Sequence, residues 1–290
     1  MDLNIIEDIC AGTVLAELGG AKSGRLAALH AGMPIDAAYR TTNRQCASSL
    51  QSISDIGMAI QTGTISCGVA AGFDSMTRDW ETKAIPVKLS PAMANSPSQD
   101  AKDCLMSMGM TSENVAERFG VPRDRQDHYA ARSHQRASAA QKDGRLGKDI
   151  EPIEVRWIDE AGKETTKTVS LDEGIRHDST FETMSKLKPV FKADGCSTAG
   201  NSSQVSDGAV ALTMARRDVA EKAGMEILGK WIGTSVMGVK PDEMGIGPAR
   251  STPKLLTRFG LDPKDIDLWE INEGELAPSA CAEFTSKSNH

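Results

Sequence analysis

The sequence predicts a layered α/β protein built around a mostly parallel sheet. Three observations carry that reading. Residues 65–71 (Ile-Ser-Cys-Gly-Val-Ala-Ala) form an apolar run without alternation, the pattern of a strand covered on both faces. Just before it, Leu50, Ile53, Ile56, Gly57 and Ile60 recur at helical spacing. Residues 225–273 then begin a second α/β unit, separated from the first by a charged stretch with few strand signals.

Taken in order, residues 5–14 are apolar and read as the first strand of this chain. Residues 19–24 (Gly-Gly-Ala-Lys-Ser-Gly) glance at a phosphate loop but lack its Gly-Lys-Ser/Thr order and its first glycine. A short extended run then reaches Cys46, and the helix with the Leu50 to Ile60 stripe follows. Residues 78–193 carry Pro91, Pro97 and many charges and read as an insertion. Within it, Thr111, Ser112 and Glu113 supply capping chemistry for a helix through Phe119. Pro122 starts a second helix, which runs to about Lys142 before Gly144 stops it. The alanines of that helix (Ala130, Ala131, Ala137, Ala140) predict close packing. Residues 154–158 and 165–169 flank Asp159-Glu-Ala-Gly162 and predict a hairpin. Glycine-rich, small-residue sequence from Cys196 leads into a core strand at 210–214. In the second unit, 227–231 and 266–271 read as strands and 252–259 as a helix.

With 290 residues and 39% hydrophobic content, the chain has length for about two domains and can bury a sizeable core. No apolar run approaches the span of a bilayer, and the N-terminus has no signal-like segment, so a membrane partner and secretion are not expected. Its 6 cysteines are scattered, without a Cys-x-x-Cys pair or a His/Cys cluster at metal spacing. A reducing compartment fits, and no metal is expected. The net charge of -7 argues against nucleic acid as a partner.

The segment Thr42-Asn-Arg-Gln-Cys46-Ala-Ser-Ser-Leu50 places one cysteine ahead of a small-residue helix start. Unpaired N–H groups and the positive end of the helix dipole favour a thiolate there. On local pattern alone an inert, buried cysteine is an equally good reading. The rest of the chain shifts the balance. In order come Gly68-Val-Ala-Ala-Gly-Phe-Asp-Ser-Met76, Met108-Gly-Met-Thr-Ser-Glu-Asn-Val-Ala-Glu-Arg-Phe-Gly120, Leu187-Lys-Pro-Val-Phe191, Thr198-Ala-Gly-Asn-Ser-Ser-Gln-Val-Ser-Asp-Gly-Ala209, Met244-Gly-Ile-Gly-Pro248 and Ile271-Asn-Glu273. Together with the cysteine segment they resemble the thiolases, most of all the peroxisomal type of 3-ketoacyl-CoA thiolase, over roughly residues 3–273.

The resemblance implies a layered α-β-α-β-α fold with an inserted lid, the second half incomplete. Residues 1–77 and 194–222 would form the first half, 78–193 the lid, and 223–290 part of the second half. It implies cleavage of a 3-ketoacyl-CoA by CoA, in fatty-acid β-oxidation, through an acyl thioester on cysteine. Cys46 matches the nucleophile. Asn272 matches the asparagine that holds a water on the oxyanion, although by itself it reads as a turn residue after a strand. Arg176 matches the arginine that lies against adenine, Ser203 the serine at the pantetheine arm, and Met108 an apolar wall of the pantetheine tunnel. No permanently bound cofactor is implied; coenzyme A is a co-substrate. A homodimer in the peroxisome is implied too, with mitochondrion or cytoplasm as alternatives and no Ser-Lys-Leu-type address in the chain. His30, His128, His134 and His177 match no acid/base motif and read as structural or surface residues.

The sequence departs from the family in three places. The Gly-His-Pro and Cys-x-Gly motifs that supply an oxyanion histidine and an acid/base cysteine have no counterpart, since Cys281 is followed by Ala-Glu. The opening strand and helix typical of the family are absent. Ser49 stands where the family often has glycine and is expected to narrow the pocket. The chain is therefore expected to be a truncated or misassembled thiolase with little or no turnover, and the alternative is a non-catalytic thiolase-fold protein that binds CoA or dimerises.

Overall fold

The computed structural model describes residues 2–85 and 88–272. In chain order the first elements are β1 (Asp8–Gly12), α1 (Ala21–His30), β2 (Ala38–Thr42), α2 (Ser48–Gln61), β3 (Cys67–Asp74), α3 (Met76–Lys83), α4 (Pro91–Ala94), α5 (Gln99–Asp103), α6 (Met108–Phe119) and α7 (Arg123–Lys142). There follow β4 (Ile153–Ile158), β5 (Glu164–Val169), α8 (Phe181–Ser185), β6 (Gly208–Ala215), α9 (Arg217–Lys222) and α10 (Gly247–Phe259). The chain divides into two compact units, one of residues 1–94 with 205–236, the other of 95–204 with 237–290.

The first unit is a mixed sheet of order β2-β1-β3-β6. β1 runs parallel to β2 and β3, while β6 returns antiparallel along β3. Side chains alternate across the sheet as the pleat requires. Cys10 and Ala70 face α2, where they pack with Ile56, Ile53 and Ile60. Ile9, Val69 and Cys67 form the opposite core with Ala28 of α1 and Val219 of α9. Ile56 is fully buried, which stabilises the unit by about 1.5–3 kcal/mol relative to an exposed isoleucine. Leu50 was expected on this stripe but is 62% exposed, because Ser48 and Ser52 take the positions facing the sheet.

In the second unit, α6 packs on a tight turn at Pro241–Ile246 through Val115, Ala116, Val121 and Ile246. Arg118 grips that turn at Asp242 (2.6 Å) and Glu243 (2.5 Å). The cap of α6 is Ser107, whose hydroxyl accepts the Met110 N–H; Thr111, Ser112 and Glu113, expected to cap it, lie buried inside the helix. The helix through Lys142 and the hairpin β4–β5 form as the sequence predicts.

Two expectations fail. The segments 227–231 and 266–271 are not strands, since a strand exists only where a neighbour takes its N–H and C=O groups and none does so here among the described residues. Residues 210–214 are strand, but only Met214 joins the core: among the described residues β6 pairs with β3 alone, and Val210 and Leu212 are exposed. No described helix is long and apolar enough to cross a membrane.

Candidate active site

Between β2 and α2 the backbone turns back on itself around Cys46. Asn43 Oδ1 accepts the Gln45 N–H at 2.9 Å. Ser48 Oγ accepts the Arg44 N–H at 2.9 Å and donates to the Gln45 carbonyl at 2.5 Å. The Ala47 and Ser48 N–H groups close onto the Arg44 and Gln45 carbonyls. These bonds hold Gln45 at φ 51°, a left-handed conformation that costs a non-glycine residue about 1–2 kcal/mol. Cys46 therefore stands exposed two residues ahead of the first helical residue.

The floor of this turn is the sheet. Gly12 and Gly72 are register partners on β1 and β3. A Cβ on Gly12 would run into the Ser48 carbonyl and the Ser49 nitrogen, and one on Gly72 into the Ser49 hydroxymethyl. Only glycines let the helix start this close. Ser49, expected to narrow a pocket, has its side chain against Gly72 instead. Ser52 shares its hydroxyl between the Ser49 and Ala71 carbonyls at 2.7 and 2.8 Å, adding a polar stitch to β3.

A polar chain runs along α2 from the turn. Arg44 Nε donates to Gln51 Oε1 (2.7 Å), Gln51 Nε2 to Asp55 Oδ1 (2.6 Å), and Arg40 pairs with Asp55 (2.9 Å) and Asp8 (3.4 Å). Cys10 lies beneath it, and its thiol is pushed up to about 11, chiefly by burial. Burial likewise raises Cys67, with Glu7 adding to it. Among the described cysteines, Cys46 and Cys104 are exposed, Cys196 is half-buried, and Cys10 and Cys67 are buried.

Arg176, Ser203, Met108 and Asn272 belong to the other unit. Arg176 is exposed on the loop between β5 and α8, and Ser203 is exposed just beyond a clamped segment. Buried Glu113 accepts from the Cys196 N–H at 2.8 Å and the Ser197 N–H at 2.8 Å. Asn201 bonds the Thr198 N–H (2.7 Å), the Cys196 carbonyl (2.9 Å) and Asp127 (3.0 Å), itself paired to Arg123 at 2.6 Å. Gln204 Nε2 donates to the Gly174 carbonyl, so the Arg176 and Ser203 segments are tied together. Met108 opens α6 and is exposed. Asn272 is exposed, outside any helix or strand. Glu273, Cys281 and His290 lie outside the described residues.

Sequence reasoning missed Gly12, Gly72, Asp127 and Asn201, and read Glu113 as a helix cap. The glycines sat in runs already rich in small residues, and the polar groups act on backbone far away in the chain. Among the described residues, no group of three His, Cys, Asp or Glu side chains is placed to hold a metal.

Two family descriptions match the chain: the thiolase N-terminal domain over residues 1–218 and the thiolase C-terminal domain over residues 225–283. The chain belongs to the thiolase family. The second match runs past Glu273, where the sequence reading put the loss of the thiolase pattern. The chain is 45% identical over 266 residues to the peroxisomal 3-ketoacyl-CoA thiolase B of Rattus norvegicus, covering 92% of this chain and 62% of that thiolase. It is 44% identical over 277 residues to the peroxisomal 3-ketoacyl-CoA thiolase of Homo sapiens, covering 95% and 64%. Its fold matches the dimeric peroxisomal thiolase of Saccharomyces cerevisiae with a TM-score of 0.90 at 38% identity, covering 98% of this chain and 71% of that one. The chain thus spans somewhat over 60% of the length of these curated thiolases.

Proposed function

We propose that this chain carries the acyl-accepting part of a 3-ketoacyl-CoA thiolase, with Cys46 as its nucleophile. The Cys46 sulfur attacks the 3-keto carbon, the bond between the α and β carbons breaks, and its electron pair leaves on the α-carbon of acetyl-CoA, which takes up a proton. The acyl group remains on Cys46 as a thioester until the thiol of a second CoA collects it. The observation that carries this reading is an exposed cysteine, Cys46, fixed by its own backbone at the head of a 14-residue helix, over a glycine floor.

In the same proposal Asn272 holds the water that donates to the oxyanion, Arg176 lies against the adenine, Ser203 touches the pantetheine arm, and Met108 lines its apolar wall. A planar guanidinium suits the first contact and a polarisable thioether the last. Residues 1–77 with 194–222 form the nucleophile half, 78–193 the lid, and 223–290 belong to the second half. No cofactor is held permanently; CoA and acyl-CoA are the small-molecule partners, a second copy is the protein partner, and the peroxisome is the compartment. The names of the rat, human and yeast relatives support these last points.

Iodoacetamide tests the reading, with Cys104 as the internal standard because it is exposed like Cys46. The expected result is faster alkylation of Cys46 near neutral pH, suppressed by acyl-CoA. Equal rates at the two thiols, unaffected by acyl-CoA, would favour a thiolase-fold protein without catalysis.

A further inference from the structure

One stripe of α7 holds the loop that carries Arg176. His134, Ser138 and Gln141 follow one another at four- and three-residue steps, and Gln135 sits beside the first. Gln141 Nε2 donates to the Asp172 carbonyl at 2.9 Å. Ser138 Oγ and His177 Nδ1 lie 2.8 Å apart. His134 Nδ1 accepts the Arg176 N–H at 3.2 Å, and Gln135 Nε2 donates to the Ser179 carbonyl at 2.9 Å. From the other side, Gln204 holds the Gly174 carbonyl. Five positions of an eight-residue stretch, 172–179, are thus fixed while Arg176 itself stays exposed. Burial, with Arg176 adding to it, lowers the His134 imidazole from its ordinary value, in keeping with an Nδ1 that accepts.

A loop ordered before its ligand arrives loses less freedom on binding. We propose that His134 is a positioning residue for the nucleotide end of coenzyme A: its Nδ1 fixes the backbone of Arg176, and Ser138 and Gln141 hold the loop on either side. The proposal rests on the assignment of Arg176 to the adenine moiety. It confines the effect of His134 to that end of the ligand. Ser203 and Met108, assigned to the pantetheine arm, are joined to this loop through Gln204 and Gly174 and not through His134.

The test is the affinity of the 290-residue chain for CoA and, separately, for pantetheine, which has no nucleotide. Arg176→Ala and His134→Leu are each expected to weaken CoA binding about ten-fold, the equivalent of one net hydrogen bond, and to leave pantetheine binding unchanged. His134→Asn, whose Oδ1 can take the place of Nδ1, should restore CoA binding. Ser138→Ala should give the same selective loss in weaker form, without disturbing the histidine. If Arg176→Ala weakens CoA binding but His134→Leu does not, or if His134→Leu weakens both ligands alike, the positioning role is overturned. If Arg176→Ala leaves CoA binding intact, the adenine assignment fails and takes the positioning role with it.

Discussion

Gly12 of β1 and Gly72 of β3 are register partners, and the first turn of α2 rests on the pair. The seat of the helix start that follows Cys46 is therefore set by two residues with no side chain. Each can be tested by adding one carbon.

Gly12→Ala and Gly72→Ala should each lower stability by about 1–3 kcal/mol, since the added methyl has no room and the helix start must lift. The same lift should change the alkylation rate of Cys46. Leu50→Ala, at an exposed site on the same helix, should do neither. Melting curves and thiol labelling read both effects. Glycine variants indistinguishable from the parent would show that the floor does not position the sulfur.

The alkaline limb of stability should carry the mark of Cys10. Its thiol is raised from 9.0 to about 11, so the folded state holds the proton more tightly than the unfolded one. The stabilising contribution is complete below about pH 9 and is lost as pH rises through about 11. Cys67, Cys196 and Tyr39 are raised as well and act in the same sense. The melting temperature should fall over that window, and less steeply in Cys10→Ala. A parallel fall in both proteins would assign the limb to other groups.

Glu113 is buried and accepts two backbone N–H groups from the segment before Ser203. Glu113→Ala leaves both unpaired and should cost about 1–3 kcal/mol or more. Glu113→Gln keeps one acceptor oxygen and should lose less. Urea titration measures the difference, and an alanine variant as stable as the parent would refute the clamp.

Cys46→Ala should abolish acylation of the chain by a 3-ketoacyl-CoA, because the proposed acyl thioester forms on that sulfur. The mass of the chain after exposure to 3-ketoacyl-CoA is the assay. A Cys46→Ala chain that still takes up the acyl group would overturn the assignment.

Elements whose signals are local were legible in the sequence. The apolar stripe of α2, the Pro122 and Gly144 punctuation of α7, and the turn chemistry of Asp159 to Gly162 each lie within a few residues of what they determine. Strand status at 227–231 and 266–271 was not legible, because apolar and aromatic content proposes a strand but only a partner makes one. Exposure of Val210 was missed for a related reason: apolar content does not reveal that, among the described residues, β6 has β3 as its one neighbour. At the candidate site, the type and setting of Cys46 could be read from its neighbours. The glycine floor and the α7 stripe could not, because they join positions such as 12 and 49, or 134 and 176, whose proximity is a product of the fold.

Most of the contacts that secure the Arg176 loop end on main-chain atoms: the carbonyls of Asp172, Gly174 and Ser179 and the amide of Arg176. Main-chain atoms are common to every residue type, so the contour of this loop is largely insulated from the identity of the side chains it displays. Position 176 is in that sense an interchangeable head on a fixed mount, and the side chain it displays can be exchanged without rebuilding the support.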